Sequence, residues 1–339
     1  MNEMIKQLNE NIYTFAHETN ELKIETGKMG VCIYFFMLAH KLKNKQCRKW
    51  AENLLDEIYE QLGQDISVKS IFDIIQVGIG IDFLLKKKYV AGNINQALGD
   101  VDIALFQKMT SSKNPLMLTY ETPGFLFILY YFYLRLEKQK LHSDNRFFME
   151  ELTIKSFNEV YASLNDAFYN EPVLFNLDYK LPPFLFVLSK IYSLKFYNYR
   201  IDEVIKEFAG LIQCRIPALH ANRLYLLWGL SHLKQATGFT FWDEQVDIIY
   251  HNINIQKIFE QELRNKQVFI KDGIAGIYLL LAAMEKNGYK ISYDPELFLK
   301  RMHNSEVWKK DSQQVFSFAH GISGLLLVEH LIYQKINVL

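Results

Sequence analysis

The stretch Phe316-Ser317-Phe318-Ala319-His320-Gly321-Ile322-Ser323-Gly324-Leu325-Leu326-Leu327-Val328 joins a polar turn to an apolar helix through two glycines three positions apart. The design recurs at Gly27-Lys28-Met29-Gly30-Val31-Cys32-Ile33-Tyr34 and at Gly273-Ile274-Ala275-Gly276-Ile277-Tyr278-Leu279. Glycine fits such a place for two reasons: it accepts positive φ in the turn, and it lets a helix start close against a neighbouring backbone. A turn-plus-helix unit that repeats along the chain is therefore the expected architecture.

Placing the second glycine of each unit in one register gives Gly30, Gly80 and Gly124, then Pro183 and Asn222 in units without glycines, then Gly276 and Gly324, at intervals of 39 to 59 residues. Each start runs into an apolar segment, at 31–38, 81–85, 125–134, 184–191, 224–230, 277–283 and 325–332. At about 1.5 Å of rise per residue, such an interval holds two helices and their turns, so each unit is a helical hairpin. Between these segments the pattern changes. Over 45–62, Trp50, Leu54, Leu55, Ile58, Tyr59 and Leu62 recur at helical spacing among polar residues, which buries one face only. The glycine-led helices are apolar nearly all round. That contrast predicts an inner and an outer ring of helices, preceded by an amphipathic lead-in helix over 5–15. Ser143-Asp144-Asn145 is read as the capped start of a long amphipathic helix reaching 168, and Pro182-Pro183 as the first turn of the fourth inner helix.

A chain of 339 residues that is 50% hydrophobic can bury a large core. Hairpins that each share their core with two neighbours make one domain of 1–339. Lys plus Arg and Asp plus Glu both number 38, so charge directs the chain neither to nucleic acid nor to an anionic membrane surface. The longest apolar run, 124–134, falls short of the roughly 20 residues that cross a bilayer, so membrane insertion is not expected. The three dispersed cysteines, Cys32, Cys47 and Cys214, and a polar opening decapeptide point to reduced thiols and a cytoplasmic location.

Seven hairpins, three opening with Gly-x-x-Gly and the last reading His320-Gly321-Ile322-Ser323-Gly324, resemble the lanthionine synthetase C family, the LanC-like proteins. The resemblance implies an all-α fold, an (α/α) toroid. It also implies a peptide substrate or a partner modifying enzyme, and in the family's cyclases a zinc ion held by two cysteines and a histidine, where thiols add to dehydrated serine or threonine. Zinc keeps a thiol as thiolate near neutral pH, and a histidine can carry the proton. Residue by residue the ligands do not carry over. The sixth turn has Lys271 and Asp272 where the family has cysteine and histidine, and the fifth region reads Asn222-Arg223-Leu224-Tyr225. In the fourth turn, Asp178-Tyr179-Lys180 stands where the family has its catalytic histidine, and the last turn has Ala319 before His320. The expectation is a chain without this metal site and with no cofactor.

Because every hairpin presents its turn at one rim, Glu25, Thr26, Lys28, Gln76, Tyr120, Glu121, Asp178, Tyr179, Lys180, His220, Arg223, Lys271, Asp272 and His320 are expected around one cavity mouth, with helix capping as the competing role of each. Lys271, Asp272 and His320 are the candidate catalytic residues, Lys271 and Asp272 as an ion pair. Lys28, Tyr120, Glu121, Asp178, Tyr179, Lys180, His220 and Arg223 are the candidate peptide-binding residues. Three functions follow: a zinc-free LanC-like protein that binds a peptide, a metal-free or divergent thioether cyclase, and a glycoside-acting toroid using Glu121, Asp178 and Asp272.

Overall fold

The computed structural model describes residues 3–65, 71–111, 124–139, 143–162, 164, 166–213, 215–309 and 315–336, and the regular structure among them is entirely helical. In chain order the helices are α1 (Glu3–Glu18), α2 (Lys28–Leu42), α3 (Lys45–Asp65), α4 (Ile71–Lys86), α5 (Ile94–Ala97), α6 (Gly99–Ser111), α7 (Gly124–Lys138), α8 (Asp144–Ala162), α9 (Asp166–Tyr169), α10 (Leu181–Ser193), α11 (Asn198–Gln213), α12 (His220–Thr237), α13 (Asp243–His251), α14 (Ile255–Lys257), α15 (Ile274–Lys286), α16 (Pro295–His303) and α17 (Ile322–Ile336). Cys214, Tyr120 and Glu121 lie outside the described residues.

The chain groups into two compact units. In the first, built from 1–120, 268–270 and 299–339, α2 packs against α1, α3, α4 and α17. Surrounded in this way, α2 is apolar on every side: Val31, Cys32, Phe35 and Phe36 are all at most 1% exposed. Each such side chain withdrawn from water contributes about 1.5–3 kcal/mol. The Cys32 thiol donates to the Ala51 carbonyl 3.4 Å away, and burial pushes its pKa well above the usual thiol range, so it is an inert core group. Against this core, α3 lays down its apolar stripe of Ala51, Leu54, Ile58 and Leu62.

The second unit, 121–267 with 271–298, is centred on α12, which packs on α10, α13 and α15, while α7 packs on α8 and α10. Gly229 lets α12 lie directly on the Pro182 backbone; a Cβ there would overlap the Pro182 carbonyl. The long helix expected over 143–168 is capped as read, with the Ser143 hydroxyl accepting from the Arg146 N–H at 3.3 Å, but α8 stops at Ala162 and the short α9 follows. On α12, His232 stands edge-on to Phe186 and Trp228. Burial, then the nearby Lys190, pushes its pKa down to about 4 from 6.5. The unfolded ring therefore takes up a proton before the folded one does. Stability from this site is complete above pH 6.5 and is lost as pH falls toward 4, by about 1–2 kcal/mol once solvent screening of a half-buried ring is allowed for. Urea titrations at pH 7 and pH 4.5 are expected to show that loss, and His232→Gln to reduce it; an unchanged pH slope in the variant would sink the assignment.

The repeat is visible at both ends of the inner helices. In all three glycine turns, the first residue of the helix donates its N–H to the carbonyl seven positions back: Lys28 to Glu21 at 2.9 Å, Ile274 to Gln267 at 3.1 Å and Ile322 to Val315 at 2.8 Å. The glycines are there for close approach rather than for positive φ. Gly27 and Gly273 are extended, at φ −116° and −146°, while a Cβ on Gly30 would overlap the Ile24 carbonyl and one on Gly324 the Phe318 carbonyl. Gly80 departs from the expected register: it lies inside α4, where a Cβ would overlap Met29 of α2. At the far ends, Lys43, Lys88, Lys195, Gly238 and Gly288 follow α2, α4, α10, α12 and α15 in left-handed conformation. After three of these, the next N–H reaches five residues back, from Asn44 to Ala39, Tyr89 to Leu84 and Tyr289 to Met284, closing the helix as a Schellman turn does.

Candidate functional site

Three loops of the second unit meet at the N-terminal ends of α10, α12 and α15. The loop 170–180 is tied to the sixth turn by the Leu177 N–H, which donates to the Lys271 carbonyl at 2.8 Å. Across the same junction the Lys271 ammonium, whose side chain is only 9% exposed, pairs with the Asp178 carboxylate at 2.6 Å. Lys271 thus reaches across to the fourth turn, where Asp178 is a partner that the sequence reading had not given it. Lys271 is buried, and Asp272 next to it is half-buried.

Two tyrosines stand behind this pair. Tyr179 is 3% exposed and sits edge-on to Tyr225, whose hydroxyl donates to the Leu177 carbonyl at 3.3 Å. Burial pushes both phenols far above their usual pKa; Glu171 adds to the shift at Tyr179 against the opposing Arg215, and Asp178 adds to it at Tyr225. Both remain protonated donors at neutral pH. Lys180, half-buried, precedes α10 and accepts the Phe184 N–H on its carbonyl at 3.1 Å.

The fifth unit closes without glycine. Glu262, presented by a π-helical turn over Ile258–Glu262, accepts the His220 and Ala221 N–H groups at 2.6 and 2.9 Å and so caps α12. Glu171 accepts from the Ala218 N–H at 2.6 Å and from Asn222 Nδ2 at 2.9 Å. Neither glutamate was legible in the sequence, because each acts across more than forty positions of chain. His220 and Arg223 serve this closure. Arg223 donates to the carbonyls of Pro217, Ala218 and Asn252 at 2.7, 3.2 and 2.9 Å, and His220 Nδ1 lies 3.1 Å from Arg223 Nη1 and accepts the Asn254 N–H at 3.3 Å.

In the first unit, Lys28 is 1% exposed and donates to the carbonyls of Ala16 and His17 and to Glu57, at 2.9, 2.8 and 2.7 Å. Its three N–H groups are all engaged in holding α1 and α3, which departs from the ligand-binding role expected for it. The first and last turns of this unit are joined by the Ala319 N–H, donating to the Glu25 carbonyl at 2.9 Å, and Gln76 Oε1 accepts from Ile24 and Glu25. His320, half-buried, occupies the bend before α17 and belongs to a different unit from Asp272.

Hairpins that open on closed turns and end on left-handed residues superpose on a solved structure, nisin cyclase, with a TM-score of 0.68, over 99% of this chain and 96% of that one. The chain has the nisin cyclase fold. The all-α toroid fold that the resemblance implied is therefore borne out, and at 13% identity the likeness to nisin cyclase speaks to the fold alone. No family model matches the sequence, and no curated protein does. Among the described residues no helix is long and apolar enough to cross a membrane. The zinc chemistry implied by the resemblance can be tested on the residues present. Among the described residues no three of His, Cys, Asp and Glu are grouped to hold a metal ion. At the sixth turn the inward group is an ammonium, which carries donors and no lone pair to give a cation. Lys271 therefore does not fit as a ligand of a zinc ion.

Proposed function

We propose that this chain is a LanC-like protein directed at a peptide, or at the enzyme that modifies it, and that it works without the family's zinc site. The observation that carries the reading is the Lys271–Asp178 ion pair, closed at 2.6 Å in the turn where the resemblance calls for metal ligands. The fold shared with a protein named for cyclising nisin supports a peptide as the molecule handled. In place of a metal, the site offers a fixed ammonium, a half-exposed carboxylate and backbone carbonyls. An anionic group of the peptide, thiolate or carboxylate, is the natural partner of that ammonium. Asp272, beside the pair, is the further group proposed to touch the peptide. A thioether cyclase that runs without metal would draw on the same residues. The glycoside reading is weaker, since Asp178 is held by Lys271.

The first test is metal content of the purified chain by mass spectrometry, before and after dialysis against a mild chelator. Far less than one zinc per chain is expected. One tightly held zinc per chain would overturn the zinc-free reading. A second measurement addresses the peptide: Lys271→Ala with Asp272→Ala should weaken, by about tenfold, binding of a peptide selected from a random library on the native chain, with the helical circular dichroism retained. Equal affinity in a folded double variant would count against the site.

A further inference from the structure

Positive and negative charges are equal over the whole chain, but one end of the first unit is not balanced. No aspartate or glutamate occurs over 26–51 or over 83–99, whereas the turn from α2 into α3 carries Lys41, Lys43, Lys45, Arg48 and Lys49, and the end of α4 carries Lys86, Lys87 and Lys88. The two turns lie side by side. Arg48 donates to the Tyr89 carbonyl at 2.7 Å and stands 5.0 Å over the Phe36 ring, which stacks on Tyr89 at 6.4 Å. Lys43, Lys45, Lys49, Lys87 and Lys88 are exposed, and among the described residues none of the five has a carboxylate partner. Of the carboxylates on these helices and their neighbours, Asp82 is buried one turn ahead of Lys86, and Glu52 is paired with Arg48 at 2.6 Å. Asp100 lies with Tyr59 and Gly63 toward the far end of α3, and Glu3 and Glu10 on α1 share that helix with Lys6. The excess is positive.

Helix capping accounts for only part of this cluster. A helix C-terminus favours cations, which suits Lys41 and Lys86. Lys45, Arg48 and Lys49 instead occupy the opening of α3, where the helix dipole favours anions and no acidic residue stands in the first turn. Lys43 and Lys88 hold left-handed positions, at φ 51° and 57°, where glycine or asparagine is the usual residue. Cations are kept here against local preference, which points to an anionic partner. Lysine is depleted at protein interfaces, which anchor on aromatic and arginine side chains. The rings beside Arg48, Phe36 and Tyr89, are at most 9% exposed, so neither is open to stack on a nucleic-acid base. Lysines on long flexible stems suit a surface of mobile anionic headgroups. Leu42, 43% exposed between Lys41 and Lys43, adds an apolar side chain of the kind that enters between headgroups.

We propose that the turns following α2 and α4 dock the chain on an anionic lipid surface, with Lys43, Lys45, Lys49, Lys87 and Lys88 meeting the headgroups and no helix crossing the bilayer. Each lysine near such a surface strengthens attachment by about fivefold, and the effect falls away within a screening length. This attachment is independent of what the glycine turns at the opposite ends of the inner helices bind.

The test is co-sedimentation of the full chain with vesicles of phosphatidylcholine alone and of phosphatidylcholine mixed with an equal part of phosphatidylglycerol. Binding is expected to the mixed vesicles only, and to be released at about 1 M salt, where screening is nearly complete. Changing Lys43, Lys45, Lys87 and Lys88 together to glutamine should weaken it by about a hundredfold or more, while arginine at the same four positions should preserve it. The same glutamine change at the exposed Lys206, Lys257, Lys286 and Lys290 of the second unit removes equal charge and should leave binding nearly intact. Thermal melts check folding; if the fourfold glutamine variant is unfolded, the pair Lys87→Gln with Lys88→Gln decides, with a loss of about twenty-fold expected. No preference for anionic vesicles, a folded glutamine variant that binds like the parent, or an equal loss in the second-unit set would overturn the proposal. Tighter binding of a short DNA duplex through the same lysines would make the partner a nucleic acid and overturn it equally.

Discussion

Gly324→Ala is expected to destabilise the chain by about 3 kcal/mol or more, because it forces an atom into space already filled by backbone. The new Cβ would overlap the Phe318 carbonyl oxygen and lie 2.8 Å from Ile270 Cδ1. Neither the turn nor the helix can easily step aside. Ile322 donates to Val315 at 2.8 Å and the Ser323 hydroxyl to the Ser317 carbonyl at 3.0 Å, so the loop is fastened on both sides of Phe318. Gly210→Ala supplies the contrast. Gly210 is exposed within α11 with nothing within 4 Å of an added Cβ, and the same change there should stabilise by about 0.5–1 kcal/mol. Urea denaturation of both variants reads the difference directly. A Gly324→Ala chain within about 1 kcal/mol of the parent would mean that the turn is far softer than its hydrogen bonds imply.

Lys28→Met should be nearly as severe, at about 3 kcal/mol, although it preserves length and apolar volume. The ammonium sits against the last carbonyls of α1, where a helix C-terminus favours a cation, and it also pairs with Glu57 of α3. Methionine would leave the Ala16 and His17 carbonyls without the ammonium, and Glu57 with His17 Nδ1, at 2.7 Å, as its other partner. Glu57→Gln should cost less, about 1 kcal/mol, since an amide oxygen can still accept from Lys28. A Lys28→Met chain as stable as Glu57→Gln would show that water replaces the ammonium there, and the lysine would be free to serve as a ligand-binding residue.

The fold was legible because its signal is local and repeated. Gly-x-x-Gly marked the starts of α2, α15 and α17 correctly, and the apolar runs identified the inner helices even where the glycines were gone. What misled was the shared appearance of different jobs. Gly80 resembles a turn glycine but is a contact point for Met29 within α4. Positive φ was expected in the glycine turns and occurs instead at the opposite helix ends, three times on lysine. The site was harder to read, because its pairings join residues far apart in sequence. Asp178 finds Lys271 and Glu262 finds His220, each across more than forty positions. Lys28 had a rim position in the sequence and a buried one in the structure, since the first residue of α2 faces back toward the end of α1.

The bond between Ala319 and Glu25, together with the seat of Gly30 against the Phe318 side chain, has a consequence for synthesis. The second unit draws on a nearly continuous stretch of chain and can assemble as that stretch leaves the ribosome. The first unit cannot. Its central helix α2 is made early, yet one of its flanks stays open until α17 arrives almost three hundred residues later. For most of its birth the chain therefore carries an apolar helix with an uncovered side, and it is in that interval, rather than after release, that a chaperone would have most to do.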